Sequence, residues 1–247
     1  MTEGLLLLTL GLFMKVVLAD GQLAPTANDI FGNTGAYLAL DAWMGVLAFS
    51  GQIFFDFAGY STCAIGVALC LGFILPENFK YPYAAVGFSD FWQRWHITLS
   101  AWLRDYLYIP LGGNRQGQLK TYINLMVTML LGGLWHGANW TFVVWGGLHG
   151  FYLWVEKFIR YKFSKRNIPT DQDVAVAGIT GGNTSLAFIY ALFTFFLINV
   201  TWDFFRAPTF AQAWTMLTSM FGMSGDVEPE LTTLAIIKVS VIISLMV

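Results

Sequence analysis

Three side chains in this chain could move a proton near neutral pH: His96, His136 and His149. Two of them lie in short aromatic and polar segments, Phe91-Trp92-Gln93-Arg94-Trp95-His96 and Trp135-His136-Gly137-Ala138-Asn139-Trp140. An imidazole, with an ordinary pKa of about 6.5, can take the proton of an attacking hydroxyl and return it to a leaving group. At membrane depth such a group is costly unless it is paired, lines a water-filled cavity or does work, which makes His96 and His136 candidate site residues. Blander roles stand beside these: a capping or helix-helix hydrogen bond for His136 and His149, and a satisfied position on a buried face for His96. Other chemistries lack their residues. No HxxxH or CxxC spacing is present, so no metal is expected; no bound cofactor is expected either, and a Gly-x-Ser-x-Gly nucleophile is missing. Gly112-Gly113 has no Lys-Ser or Lys-Thr after it and does not read as a phosphate loop.

The elements that must hold these residues are membrane helices. Hydrophobic residues make up 56% of the 247, charged residues 11%, and mean hydropathy is +0.60. Soluble domains average about 25% charged residues, so the composition predicts an all-α, polytopic membrane bundle. A net charge of -2 with no long basic run gives no reason to expect a nucleic-acid partner. Cys63 and Cys70, seven positions apart on a helix, would lie roughly 10 Å from each other, too far for a disulfide, and read as small packing residues. One apolar run begins directly after Glu3, and the sequence stops inside another at Val247. A single membrane domain over 1–247, cut from a longer protein at both ends, is expected.

In chain order, Gly4 to Ala19 reads as a short apolar helix whose Lys15 reaches an interface, ended by Asp20-Gly21 and Pro25, with a polar loop over 20–35. Ala36 to Phe57 reads as a span with Asp41 at an interface and Asp56 deeper, broken at Gly59-Tyr60-Ser61 before a second apolar stretch to Leu75. Asp56 is either a structural carboxyl paired with a neighbouring helix or an arginine, or a site residue. A two-proline loop follows over 76–82. Residues 89–107 read as one amphipathic helix lying along an interface. At about 100° per residue, Phe91, Trp92, Trp95, Leu99, Trp102, Leu103, Tyr106 and Leu107 fill one arc, with His96 at its inner edge. Ser89 or Asp90 is the expected N-cap, and Asp90 stands one turn from Arg94.

Two short apolar stretches, 122–135 and 140–159, flank the turn at His136-Gly137-Ala138-Asn139. Both outer flanks are basic, with Arg115 and Lys120 before and Lys157, Arg160, Lys162, Lys165 and Arg166 after, which places them in the cytoplasm. His136 then sits at the tip of a re-entrant or spanning excursion, and the glycines on both sides allow close helix packing. Residues 161–183 read as a polar loop, Ser185 to Phe205 as a strong span, Pro208 to Met223 as a second interfacial helix, Asp226 to Glu230 as an acidic loop and Leu231 to Val247 as the start of another span. Acyl transfer suits a buried histidine base, because a hydroxyl must lose its proton as it attacks a thioester carbonyl. A transporter relaying protons through Asp56, His96 and His136 stays open at this point.

Several segments carry a resemblance. Asp90 to His96, Leu103 to Arg115, Gly133 to Trp140, Asp56-Phe57-Ala58-Gly59-Tyr60 and Thr201 to Ala207 resemble the signature blocks of the membrane-bound O-acyltransferase (MBOAT) family, in the bacterial alginate O-acetyltransferase branch. The resemblance implies a multi-pass enzyme of the bacterial inner membrane with His136 as catalytic residue and His96 as its second polar position. It implies an acetyl donor such as acetyl-CoA or another cytoplasmic acyl thioester, an exported polysaccharide such as alginate as acceptor, and a periplasmic partner acetyltransferase. D-alanyl transfer from a carrier protein to teichoic acid is the alternative within the family. On this reading His136 is the general base, and His96 orients the acyl group or protonates the leaving thiolate. Asp56, Trp135 and Asn139 contact substrate, and Arg94, Arg104 and Arg115 hold anionic parts of the donor unless they only anchor to lipid headgroups.

Overall fold

The computed structural model describes residues 1–163, 183–224 and 227–246. The polar loop expected over 161–183, Asp226 of the acidic loop and Val247 fall wholly or largely outside these residues. No strand occurs among the described residues, and the fold is an all-α membrane helical bundle. Three of the described helices are long and apolar enough to cross a membrane: α1 (Thr2–Gly32), α2 (Ala39–Cys70) and α7 (Thr184–Arg206). Between them come α3 (Phe88–Arg94), α4 (Ile97–Leu103), α5 (Gln118–His136) and α6 (Trp140–Phe163). After them come α8 (Phe210–Met220) and α9 (Thr233–Ser244). The chain divides into two compact units, one of residues 1–79 with 202–247 and one of residues 80–201.

In the first unit α1 and α2 pack antiparallel through small residues spaced seven apart. A side chain at Gly4 would run into Cys70 Sγ and the Gly66 carbonyl, and one at Gly11 into Cys63 Sγ and the Gly59 carbonyl. Cys63 and Cys70 are therefore packing residues, unpaired with each other. The same contact corrects the expected break at Gly59: α2 runs unbroken for 32 residues because Gly59 is a seat for α1. The expected loop over 20–35 is also helical as far as Gly32. Residues Phe13–Leu23 wind as a π-helix, with the Ala24 N–H reaching the Ala19 carbonyl. This wider winding lets Pro25, which has no N–H and would crowd the carbonyl four residues back, enter without ending the helix. Lys15 reaches Asp56 across the helix pair, with Asp20 3.5 Å away.

Asp41, in the first turn of α2, is buried, its carboxylate accepting the amides of Glu230 (2.7 Å) and Leu231 (3.4 Å). α8 lies against α2: Ser219 Oγ accepts the Tyr37 N–H, and the Met220 carbonyl accepts the Trp43 indole N–H. Phe31, Phe49, Trp202 and Phe205 form the aromatic centre of this unit, with the Arg206 guanidinium 5.6 Å above the Phe31 ring. α9 has 12 residues, about 18 Å of helix at 1.5 Å per residue, less than the roughly 30 Å of a bilayer core.

Candidate active site

Both histidines singled out from the sequence belong to the second unit, and each is aimed by a helix end. The single amphipathic helix expected over 89–107 is in fact two, because the backbone turns sharply at Trp95 and His96. Trp95 is extended, and His96 adopts φ 43° and ψ 55°, the left-handed region. Among the described residues only Tyr81 shares a positive φ without being glycine. That conformation costs an L-residue about 1–2 kcal/mol, so it persists only where the surroundings impose it. The helical angular count that put His96 at the edge of an apolar arc therefore does not apply to it. The apolar arc still describes part of the packing, since Phe91, Trp95 and Leu103 are buried, but Trp102 and Tyr106 are exposed.

The start of α3 is fixed from outside. Gly87, at φ 99°, donates its N–H to Thr194 Oγ1 (3.1 Å), and the amides of Phe88 and Ser89 both donate to Glu156 Oε2 (2.7 and 3.0 Å). The cap is thus a carboxylate from α6 rather than Ser89 or Asp90. Asp90 instead takes the Val86 amide on Oδ2 (2.9 Å) and Arg94 Nε on Oδ1 (2.7 Å), the i,i+4 pair expected from the sequence. Phe91 stacks on Trp95 with ring centroids 5.8 Å apart, and His96 follows, its carbonyl accepting the Ser100 amide that opens α4.

His136 is the last residue of α5, at the expected turn. α5 and α6 form a close hairpin in which Gly133 and Gly146 meet backbone to backbone: a Cβ on Gly133 would overlap the Phe142 carbonyl, and one on Gly146 the Met129 carbonyl. The His136 ring lies edge-on to Trp135 (5.0 Å) and Trp145 (5.3 Å) and 6.1 Å from Phe142. Gly137 leaves room for Phe142, whose ring would be 2.8 Å from a Cβ there. Asn139 Oδ1 accepts the Thr141 amide (3.2 Å), the geometry of an N-cap for α6. Trp135 and Trp140 are 65% and 76% exposed on either side of the turn.

His96 and His136 come within electrostatic reach of each other. Burial first, and the neighbouring His136 second, hold the His96 imidazole well below its usual range, at about 4. His96 is therefore neutral at pH 7, and a charge on His136 opposes a charge on His96. Both residues are partly exposed rather than sealed.

His149 is fully buried on α6, stacked 6.1 Å from Phe91 and edge-on to Trp92 (5.1 Å) and Trp145 (4.8 Å). Its Nε2 is 3.1 Å from Thr201 Oγ1, whose own hydrogen goes to the Ile198 carbonyl (2.7 Å). The hydroxyl must then accept, which puts the imidazole proton on Nε2 and leaves Nδ1 as a buried lone pair. Trp145 thus touches both histidines of the hairpin, and His149 has the place of a core residue behind the pair.

The remaining expected site residues each have surroundings of their own. Arg104 is exposed and held in a fork by Asp105 (2.7 and 3.1 Å), and Arg115 is exposed on the loop before α5. Asp56 belongs to the first unit, paired with Lys15. Glu156 escaped the sequence reading altogether; its one signal is a carboxylate in an apolar helix.

Residues 4–181 match the family model of MBOAT, the membrane-bound O-acyltransferase family. The chain is 45% identical over 216 residues to the probable alginate O-acetylase AlgI of Azotobacter vinelandii, covering 87% of this chain and 39% of that protein. It is 42% identical over 222 residues to the peptidoglycan O-acetyltransferase of Helicobacter pylori, covering 90% and 39%. Against the teichoic acid D-alanyltransferase of Bacillus subtilis the identity is 28% over 185 residues, covering 71% and 43%. The chain spans about two fifths of the length of these curated relatives. Matched to the family model over most of its length, the chain belongs to the membrane-bound O-acyltransferase family.

Proposed function

We propose that this chain carries the acyl-transfer centre of an inner-membrane, multi-pass O-acetyltransferase that moves an acetyl group from a cytoplasmic thioester, acetyl-CoA in the simplest case, toward the hydroxyls of an exported polysaccharide. The observation that supports this reading best is the pairing of His96 and His136: two imidazoles from separate elements, partly exposed, one of them held on strained backbone. The acceptor oxygen attacks the thioester carbonyl carbon as His136 takes the hydroxyl proton. The carbon–sulfur bond breaks, and the thiolate leaves with a proton delivered from the imidazole pair. Burial and the neighbouring ring both oppose a lasting charge on His96, which suits a pair that passes the acceptor's proton on to sulfur rather than keeping it. A general base is worth about 10²–10⁴-fold in rate.

Acetyl transfer is favoured over D-alanyl transfer by the higher identity to O-acetyltransferases. A periplasmic acetyltransferase that receives the acetyl group fits the same reading. Arg94, Arg104 and Arg115 are proposed to face the anionic donor, and Trp135, Asn139 and Asp56 to line the substrate path. The test is complementation of cells lacking the native enzyme with the full-length parent gene, wild type or His136→Ala, at matched membrane levels. Acetyl ester on exported polysaccharide in the wild type alone supports the proposal. Equal ester in both removes His136 from the chemistry, and D-alanyl ester in place of acetyl reassigns the acyl group.

A further inference from the structure

Glu156 has no part in the chemistry above, yet its geometry bears on it. It is 2% exposed, on a helix whose other buried contacts are aromatic or small, and its carboxylate takes two backbone amides from α3 while Oε1 pairs with Arg160 one turn on. A carboxylate at a helix N-terminus satisfies amides that have no partner within the helix and complements its dipole. α3 has only seven residues, too few to be stable on its own, so its position is set by such outside contacts. At its far end it delivers Trp95 and then His96.

The strain at His96 makes this clamp consequential. The apolar spacing over 89–107 suits one uninterrupted helix, and winding α3 straight into α4 would relieve the left-handed residue. Doing so would swing α3 away from the three anchors at its start, Thr194 Oγ1 on Gly87 and Glu156 on Phe88 and Ser89. The Gly87 backbone is moulded to the same anchor: a Cβ there would lie 3.0 Å from the Tyr190 hydroxyl and 3.2 Å from Glu156 Oε1. We infer that Glu156 is a positioning residue for His96: by clamping the first turn of α3 it holds the break between α3 and α4 that presents His96 to His136. The inference rests on the reading of that pair as the acyl-transfer centre.

The test is a double-mutant cycle in the full-length parent, measuring the initial rate of acetyl-ester formation on exported polysaccharide at matched membrane levels. Glu156→Ala is expected to lower the rate by on the order of 10²-fold, the scale of a misplacement of about 1 Å. Glu156→Gln, whose amide oxygen can still accept both backbone N–H groups, should recover most of the loss. Adding Glu156→Ala to His96→Ala should then cost little more than His96→Ala alone, because both act through one side chain. Should Glu156→Ala fail to accumulate, Thr194→Val removes the neighbouring anchor without touching charge, with a smaller loss and the same lack of additivity. Losses that multiply in the double variant, or a wild-type rate for Glu156→Ala, would overturn the inference. If His136→Ala abolishes transfer while His96→Ala does not, the acyltransferase reading survives and the positioning role falls; if neither histidine matters, both fall.

Discussion

Alanine at adjacent glycines of the α5–α6 hairpin should have opposite consequences. At Gly132 the new Cβ would meet Leu103 Cδ1 at 3.4 Å, and at Gly147 it would meet Leu130 Cδ2 at 3.6 Å, both ordinary contacts with the ends of flexible side chains. There the substitution should be neutral or stabilising by up to about 1 kcal/mol, the helix-propensity gain of alanine over glycine. At Gly133 and Gly146 the Cβ would overlap a carbonyl oxygen of the opposite helix and come 3.3 Å from the opposite glycine's Cα. Backbone cannot step aside, so the helices must part, at an overpacking cost of about 1–3 kcal/mol that outweighs the same propensity gain. Parting them moves His136, the last residue of α5, against Trp145 on α6, and about 1 Å of misplacement can cost on the order of 10²-fold in rate. The assay is heat-induced loss of the monodisperse full-length protein in detergent, with acetyl-ester formation in cells. Gly133→Ala and Gly146→Ala should lose both stability and rate. If they match Gly132→Ala and Gly147→Ala, the close hairpin is not what holds His136.

Three further outcomes follow from the geometry. With the His96 pKa depressed from about 6.5 in the unfolded chain to about 4 in the fold, stability is independent of His96 above pH 6.5 and falls as pH drops toward 4, where the unfolded chain binds a proton the fold resists. His96→Asn should flatten that part of a plot of denaturation midpoint against pH, and an unchanged slope would mean that His96 is not buried as described. Thr201→Val should leave the His149 Nε2–H buried without an acceptor and lower stability by about 1–3 kcal/mol, read as a drop in melting temperature; no drop would refute the assigned tautomer. Exchanging Lys15 and Asp56 (Lys15→Asp with Asp56→Lys) should restore membrane accumulation lost in either single variant if the pair is structural. Accumulation without acetyl transfer would instead mark Asp56 as a substrate contact.

Hydropathy and charge made much of this legible in advance. Ser185 to Phe205 reads as a span because nothing in it competes with helix, and α7 covers it. The turn at His136 to Asn139 shows because polar and glycine residues interrupt apolar sequence there, and α5 and α6 meet at it. Residues whose meaning depends on a distant partner were harder. Gly59 looks like a breaker until α1 is seen to need its bare surface, and Pro25 until the π-winding makes room for its ring. The break at His96 is invisible because the local pattern favours one continuous helix, while the anchors of α3 come from Glu156 and Thr194, far along the chain. Arg94 and Arg104 each carry a carboxylate on the guanidinium, Asp90 and Asp105; helical spacing announces the first pair but not the second, between sequence neighbours.

The most direct test of the central claim is the acetyl-ester content of exported polysaccharide from cells complemented with the full-length parent, comparing wild type, His136→Ala and His96→Ala at equal membrane levels. The account predicts a loss of about 10²–10⁴-fold for His136→Ala and a clear loss for His96→Ala, because base and partner act as one unit. Wild-type acetylation by His136→Ala would contradict it.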